Sequence, residues 1–189
     1  MSKKVCIISC CSVLVVLVVV CVVLSQTVFK VRNPDAHMLS ATINSMQFNT
    51  SENPPTVSAT VTADLSIRNP NILDYRYKNG YAYAIYRGRI LGEGEVPGGM
   101  SPGKKTLCMN LTMDTHTDHQ LMLDPDFLAD FTTGAVPVTA YTKLDGWVNL
   151  LGVFKPRYDL SINCSMNVVV FNKTIQTGSC LSTVRYHRH

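Results

Sequence analysis

Between Val57 and Arg68 the chain alternates strictly, and no other feature restricts its fold as much. Val57, Ala59, Val61, Ala63, Leu65 and Ile67 are apolar, while Ser58, Thr60, Thr62, Asp64, Ser66 and Arg68 are polar. Successive side chains of an extended strand point to opposite faces, so this pattern makes a strand with one dry and one wet face. The same period recurs in Leu107, Met109, Leu111 and Met113, set against Thr106, Cys108, Asn110 and Thr112. It recurs again in Tyr158, Leu160, Ile162, Cys164 and Met166, set against Asp159, Ser161, Asn163 and Ser165.

Further strands are expected at about 41–48, 81–86, 89–96, 136–144 and 147–154. Turn residues separate them: Asn53-Pro54-Pro55, Asn69-Pro70-Asn71, Asn79-Gly80, Gly98-Gly99, Ser101-Pro102-Gly103 and Asp145-Gly146. His119 to Phe131 breaks the alternation and predicts a short helix, starting after Asp124-Pro125. Strands this short and this regularly punctuated predict an all-β domain, an antiparallel β-sandwich over residues 37–189.

The N-terminal part has another character. Val5 to Leu24 is a run of twenty uncharged residues, fourteen of them Val, Ile or Leu. Twenty helical residues cover about 30 Å, the hydrocarbon thickness of a bilayer. The rival reading is a cleaved signal peptide, with Met1-Ser2-Lys3-Lys4 as its basic region and a site near Ser25. Such apolar regions usually run about 7–15 residues. The sequence therefore predicts an uncleaved transmembrane signal-anchor at 5–24, after a cytosolic tail at 1–4 and before a stalk at 25–36 where Asn33-Pro34 discourages helix. Lys3 and Lys4 are nearly matched by Lys30 and Arg32, so size rather than charge sets the orientation, with the domain outside the cytosol.

Sequons and cysteines agree with that side. Asn49, Asn110, Asn163 and Asn172 each open an Asn-x-Ser/Thr glycosylation triplet. Asn110 and Asn163 fall on wet faces of their strands. Of the seven cysteines, Cys6, Cys10, Cys11 and Cys21 lie in the apolar run. Cys164, on a dry face, and Cys180 are the expected disulfide, with Cys108 left over on a wet face. Cys6, Cys10 and Cys11 are either acylation sites or small apolar helix residues.

Little points to catalysis, and neither a cofactor nor a metal is expected. Gly98 to Lys105 approximates a phosphate-binding loop, but Lys105 stands where Ser or Thr would hold Mg²⁺, and a strand pattern follows in place of a helix. Asp114, His116, Asp118 and His119 read better as a solvated loop than as metal ligands, and His187 and His189 lie at the end of the chain. No Gly-x-Ser-x-Gly elbow is present. A net charge of +4, dispersed along the chain, argues against nucleic acid as a partner. Tyr83, Tyr86, Arg87 and Arg89 form the candidate partner surface, of residue types common at binding hot spots. Charged guarding of an exposed hairpin edge is the other meaning of the two arginines.

Ile67-Arg68-Asn69-Pro70-Asn71, followed by Tyr86-Arg87-Gly88-Arg89-Ile90-Leu91-Gly92-Glu93-Gly94-Glu95-Val96-Pro97, resembles the type-2 late embryogenesis abundant domain of land plants, also called the water-stress and hypersensitive-response domain. One apolar run before such a domain, with Leu150-Leu151-Gly152-Val153-Phe154-Lys155 and then Cys164 and Cys180, resembles its membrane-bound subfamily, related to harpin-induced and non-race-specific disease-resistance proteins. The resemblance implies an immunoglobulin- or fibronectin-III-like sandwich, no enzymatic activity, and a plasma-membrane role in defence or stress. Two functions remain open. One is a tethered adaptor for an unidentified protein or cell-wall partner. The other is a lipid-handling domain, which a continuous apolar cavity would favour.

Overall fold

A computed structural model describes the backbone of residues 3–27, 31–51, 53–149 and 154–187, and the side chains of these apart from 3–8, 24, 25 and 27. The chain forms two compact units, Met1–Arg32 and Asn33–His189.

In the first unit, α1 (Lys3–Thr27) is helical, and its side chains from Val13 to Val23 are exposed. Among the described residues no helix is long and apolar enough to cross a membrane. The expected transmembrane segment is therefore not borne out; the side chains of Val5 to Ile8, Cys6 among them, and of Leu24 lie outside the described residues.

The second unit holds ten strands and two short helices. They are β1 (Asp35–Asn49), β2 (Thr56–Arg68), β3 (Tyr75–Tyr77), β4 (Gly80–Tyr86), β5 (Arg89–Val96), β6 (Gly99–Ser101), β7 (Thr106–His116), α2 (His119–Met122), α3 (Pro125–Thr133), β8 (Ala135–Val148), β9 (Arg157–Val169) and β10 (Thr174–Tyr186). The fold is all-β, but the expected immunoglobulin- or fibronectin-like sandwich is corrected to a closed barrel. Eight antiparallel strands follow one another in the order β4-β5-β7-β2-β1-β10-β9-β8, and β8 pairs back onto β4. β3 and β6 extend the sheet beside β8.

Two seams of this ring are thin. β5 meets β7 through Gly92↔Thr115 and Glu93↔Asp114 alone, and β1 meets β10 only at Thr42↔Thr174. The first seam requires glycine: a Cβ on Gly92 would stand 2.1 Å from the Asp114 carbonyl oxygen. At the other seams the ladders are long, as between β8 and β9, which pair from Ala135↔Val169 to Trp147↔Arg157.

The alternation expected for β2, β7 and β9 is the one observed, with Val61, Ala63, Leu65, Ile67, Leu111, Met113, Leu160, Ile162 and Cys164 in the core. Three local readings change. Asp145-Gly146 is no turn but lies within β8, where the absent Cβ leaves room for the Arg76 carbonyl, 2.3 Å from its position. The strand expected at 147–154 is in part the end of β8, and Leu150 to Val153 lie outside the described residues. Where a stalk was expected to reach residue 36, β1 already begins at Asp35.

Candidate functional site

One end of the barrel is closed by α2 and α3. Asp118 caps α2 by accepting from Leu121 N (2.7 Å), and Asp124 caps α3 by accepting from Asp126 N (3.0 Å), with Pro125 in the first turn. Behind α3 the barrel interior contains a cavity of about 100 Å³. β1 and β2 contribute Ile43, Met46 and Val61; β8 and β9 contribute Val136 and Met166; α3 contributes Phe127 and Phe131. The polar lining groups are Thr115, His116 and Thr117, at the end of β7. Each already has a partner: Thr115 donates to Ala59 O, Thr117 donates to Val57 O while accepting from Val57 N, and His116 meets Ser58 at 2.9 Å. What remains for a ligand is a hydrocarbon surface. A smaller void of about 20 Å³, lined by Met38, Leu65, Leu111 and Ile162, shares Met113 with it.

The four residues of the expected partner surface do not come together as one outward patch. Tyr83 lies beside Tyr81 (ring centroids 6.5 Å apart), partly exposed. Tyr86 is buried at 1% exposure, its ring edge-on to Phe127 at 5.2 Å and its hydroxyl donating to Asp130 Oδ2 at 2.8 Å. Burial, then the Asp130 hydrogen bond, pushes its phenol up to about 12, against a smaller opposing pull from Arg87. Arg87 bridges Asp126 at 2.5 Å and Asp130 at 3.2 Å, and Arg89 faces Asp124 at 3.8 Å. The hairpin tip is thus turned onto α3. β4 itself pairs on both sides, whereas Arg89 opens β5 ahead of that strand's pairs with β7 at Gly92 and Glu93.

A second cleft, of about 390 Å³, opens on the outer surface near the other end. The registers Arg76↔Trp147 and Trp147↔Arg157 put these three residues in one cross-strand row over β3, β8 and β9, and Trp147 and Arg157 line the cleft. Lys78 and Lys155 lie in the same cleft. Its acids are engaged: Asp159 takes Lys143 (3.1 Å) and His187 (3.2 Å), and Asp145 takes Lys143 (3.6 Å). Burial tends to raise the Asp159 carboxyl, but the hydrogen bonds from His187 and Lys143 outweigh it and hold the group below its ordinary value.

Cys164 and Cys180 form a disulfide between directly opposed residues of β9 and β10. Among the described residues Cys10, Cys11, Cys21 and Cys108 are free and exposed. Asn163 and Asn172 are exposed; Asn110 donates to Asp64 at 2.7 Å, and Asn49 accepts from Ser51 N at 3.2 Å. Asp114 and His116 lie on β7 and bond to Thr60 and Ser58, and Asp118 is a helix cap. Among the described residues no group of three or more His, Cys, Asp or Glu side chains is placed to hold a metal; His189 lies outside them.

Sequence reasoning missed the cavity, β10 and the role of α3. The one available signal was the pairing of Phe127 and Phe131, four residues apart on a helix that must cover something apolar.

An all-β barrel with an apolar hollow under a helical cap is the class of protein that this geometry defines. No family model matches the chain. It is similar to a late embryogenesis abundant protein of Arabidopsis thaliana, at 20% identity over 177 residues, which are 93% of this chain and 82% of that protein. This supports a late embryogenesis abundant-like relationship. Two solved structures align along most of the chain: a crystal structure of an Archaeoglobus fulgidus protein (TM-score 0.33, 4% identity, 81% of this chain and 99% of that one) and a solution structure of an Arabidopsis thaliana protein (TM-score 0.29, 12% identity, 85% and 86%).

Proposed function

We propose that this chain is a non-enzymatic stress- or defence-response protein, of the kind its harpin-induced and disease-resistance resemblance implies, whose barrel takes up an apolar chain such as a lipid acyl tail. The cavity behind α3 carries this reading, because its polar lining groups are already satisfied and only hydrocarbon is left to meet a ligand. Burying one methylene there is worth about 0.8 kcal/mol. The Cys164–Cys180 bridge and the exposed Asn163 sequon support a site of action outside the cytosol, and the resemblance implies the plasma-membrane surface.

The test is photolabelling of plant cells expressing the full chain with a clickable diazirine analogue of palmitate. Adducts are expected on peptides carrying Met113, Phe127 or Met166, and excess palmitate should suppress them. Absence of interior adducts from correctly folded protein would overturn the reading.

A second reading, an adaptor for an unidentified protein or cell-wall component, is favoured by the Arg76–Trp147–Arg157 row, since Trp and Arg dominate binding hot spots. Replacing all three residues by alanine should then abolish retention on a wall-polysaccharide fraction and crosslinking to neighbouring proteins. Unchanged behaviour of that variant in both assays excludes the adaptor surface.

A further inference from the structure

We infer that α3 is a latched plug, held by Arg87 and Arg89, that must swing away before an acyl chain can enter the barrel; this rests on the apolar-chain reading above. Size is the first argument. An enclosed apolar cavity of about 150 Å³ accommodates benzene, and the cavity here is about 100 Å³. A tail of lipid length exceeds that space, and Phe127 and Phe131 of α3 fill one side of it.

The second argument is how α3 is held. Its apolar grip rests on Phe127, fully buried, and Phe131, partly buried against the core, while Leu128 is 39% exposed. Charged contacts along its first turns do the rest: Arg89 to Asp124, Arg87 to Asp126 and Asp130, and the Tyr86 hydroxyl to Asp130. All of them come from one hairpin, β4–β5. Arg87 sits in the turn at φ 44° and Gly88 at φ 88°. An arginine pays a conformational penalty in that left-handed region, where Asn or Gly is the usual occupant. Here it aims the guanidinium at two aspartates and lays it 5.5 Å from the Tyr86 ring centre. The arginines are about half exposed, with 51% and 49% of their side chains open to solvent. Such pairs are individually weak and sensitive to salt. A contact of this kind closes the barrel at rest without making it hard to open.

The experiment follows the rate at which the palmitate probe labels purified full-length protein. Arg87→Ala/Arg89→Ala should label about five- to tenfold faster than wild type, the change expected when a few half-exposed pairs are lost. Raising salt should accelerate wild type but not the double variant. Asp126→Asn serves as a second variant should the first fold poorly, and is expected to label at an intermediate rate. Wild-type labelling that neither the variants nor salt accelerate overturns the latch while leaving the apolar-chain reading intact. No interior labelling in any form overturns both.

Discussion

Tyr86 shows how much one residue's role depends on its surroundings. The segment Tyr86-Arg87-Gly88-Arg89 suggests exposed binding chemistry, yet the tyrosine is a core residue whose hydroxyl is tied to Asp130. Tyr86→Phe removes that hydrogen bond and leaves Asp130 Oδ2 with Arg87 alone, so a loss of about 1 kcal/mol is expected in denaturant unfolding. The pH dependence has a definite sign. The phenol is held neutral up to about 12, against an ordinary value of 10, so the folded state retains its proton longer than the unfolded chain. The stability it contributes is fully present below pH 10 and is lost as pH rises through about 12. Wild type should therefore lose stability more steeply than Tyr86→Phe between pH 10 and 12; parallel curves would show that Tyr86 is not held this way.

At the scale of elements, strand parity decided what was legible. β2, β7 and β9 keep one parity from end to end and were readable to within a few residues. β10 was not. It turns Ile175 inward, then Cys180, Ser182 and Val184, because a bulge between Thr177 and Cys180 shifts the register. Two bulges do the same to β1, after Met38 and after Ile43. The glycines of β5 also look like strand breakers in isolation, yet Gly92 is what lets β5 reach β7. Gly92→Val should part that seam and cost several kcal/mol, since its Cβ would meet backbone on both β7 residues. Amide exchange would locate the damage, with protection lost at Gly92, Glu93 and Asp114 ahead of β8 and β9; uniform loss across the barrel would contradict it.

For the whole molecule, the β9–β10 hairpin is bound covalently, by a bridge across 16 residues. Closing such a loop is worth about 3 kcal/mol on the chain-entropy estimate. Protein made in plant cells should yield a Cys164–Cys180 peptide under non-reducing digestion, with Cys108 alkylated directly, and should melt at a lower temperature after reduction. Endoglycosidase should shift its mobility, and Asn163→Gln together with Asn172→Gln should remove most of that shift, because both are exposed while the Asn110 amide is already engaged with Asp64. Ready alkylation of both Cys164 and Cys180 without reductant would place the domain in a reducing compartment and refute the extracytosolic reading.

The sequence by itself determined that the domain is all-β, where most strands lie and which of their faces are dry, because period-two alternation is a property of neighbouring residues and needs no partner. It also placed the cap of α3, since Asp-Pro acts within a single turn. Whether the strands form two sheets or one ring was decided only in the tertiary structure. Closure depends on β4 pairing with both β5 and β8 and on two narrow seams, and strand alternation is the same for a sandwich and a barrel. The fate of Arg87 and Arg89 was decided there too. Their aspartates lie some 35 to 43 positions further along the chain, and only folding brings that helix against the hairpin tip.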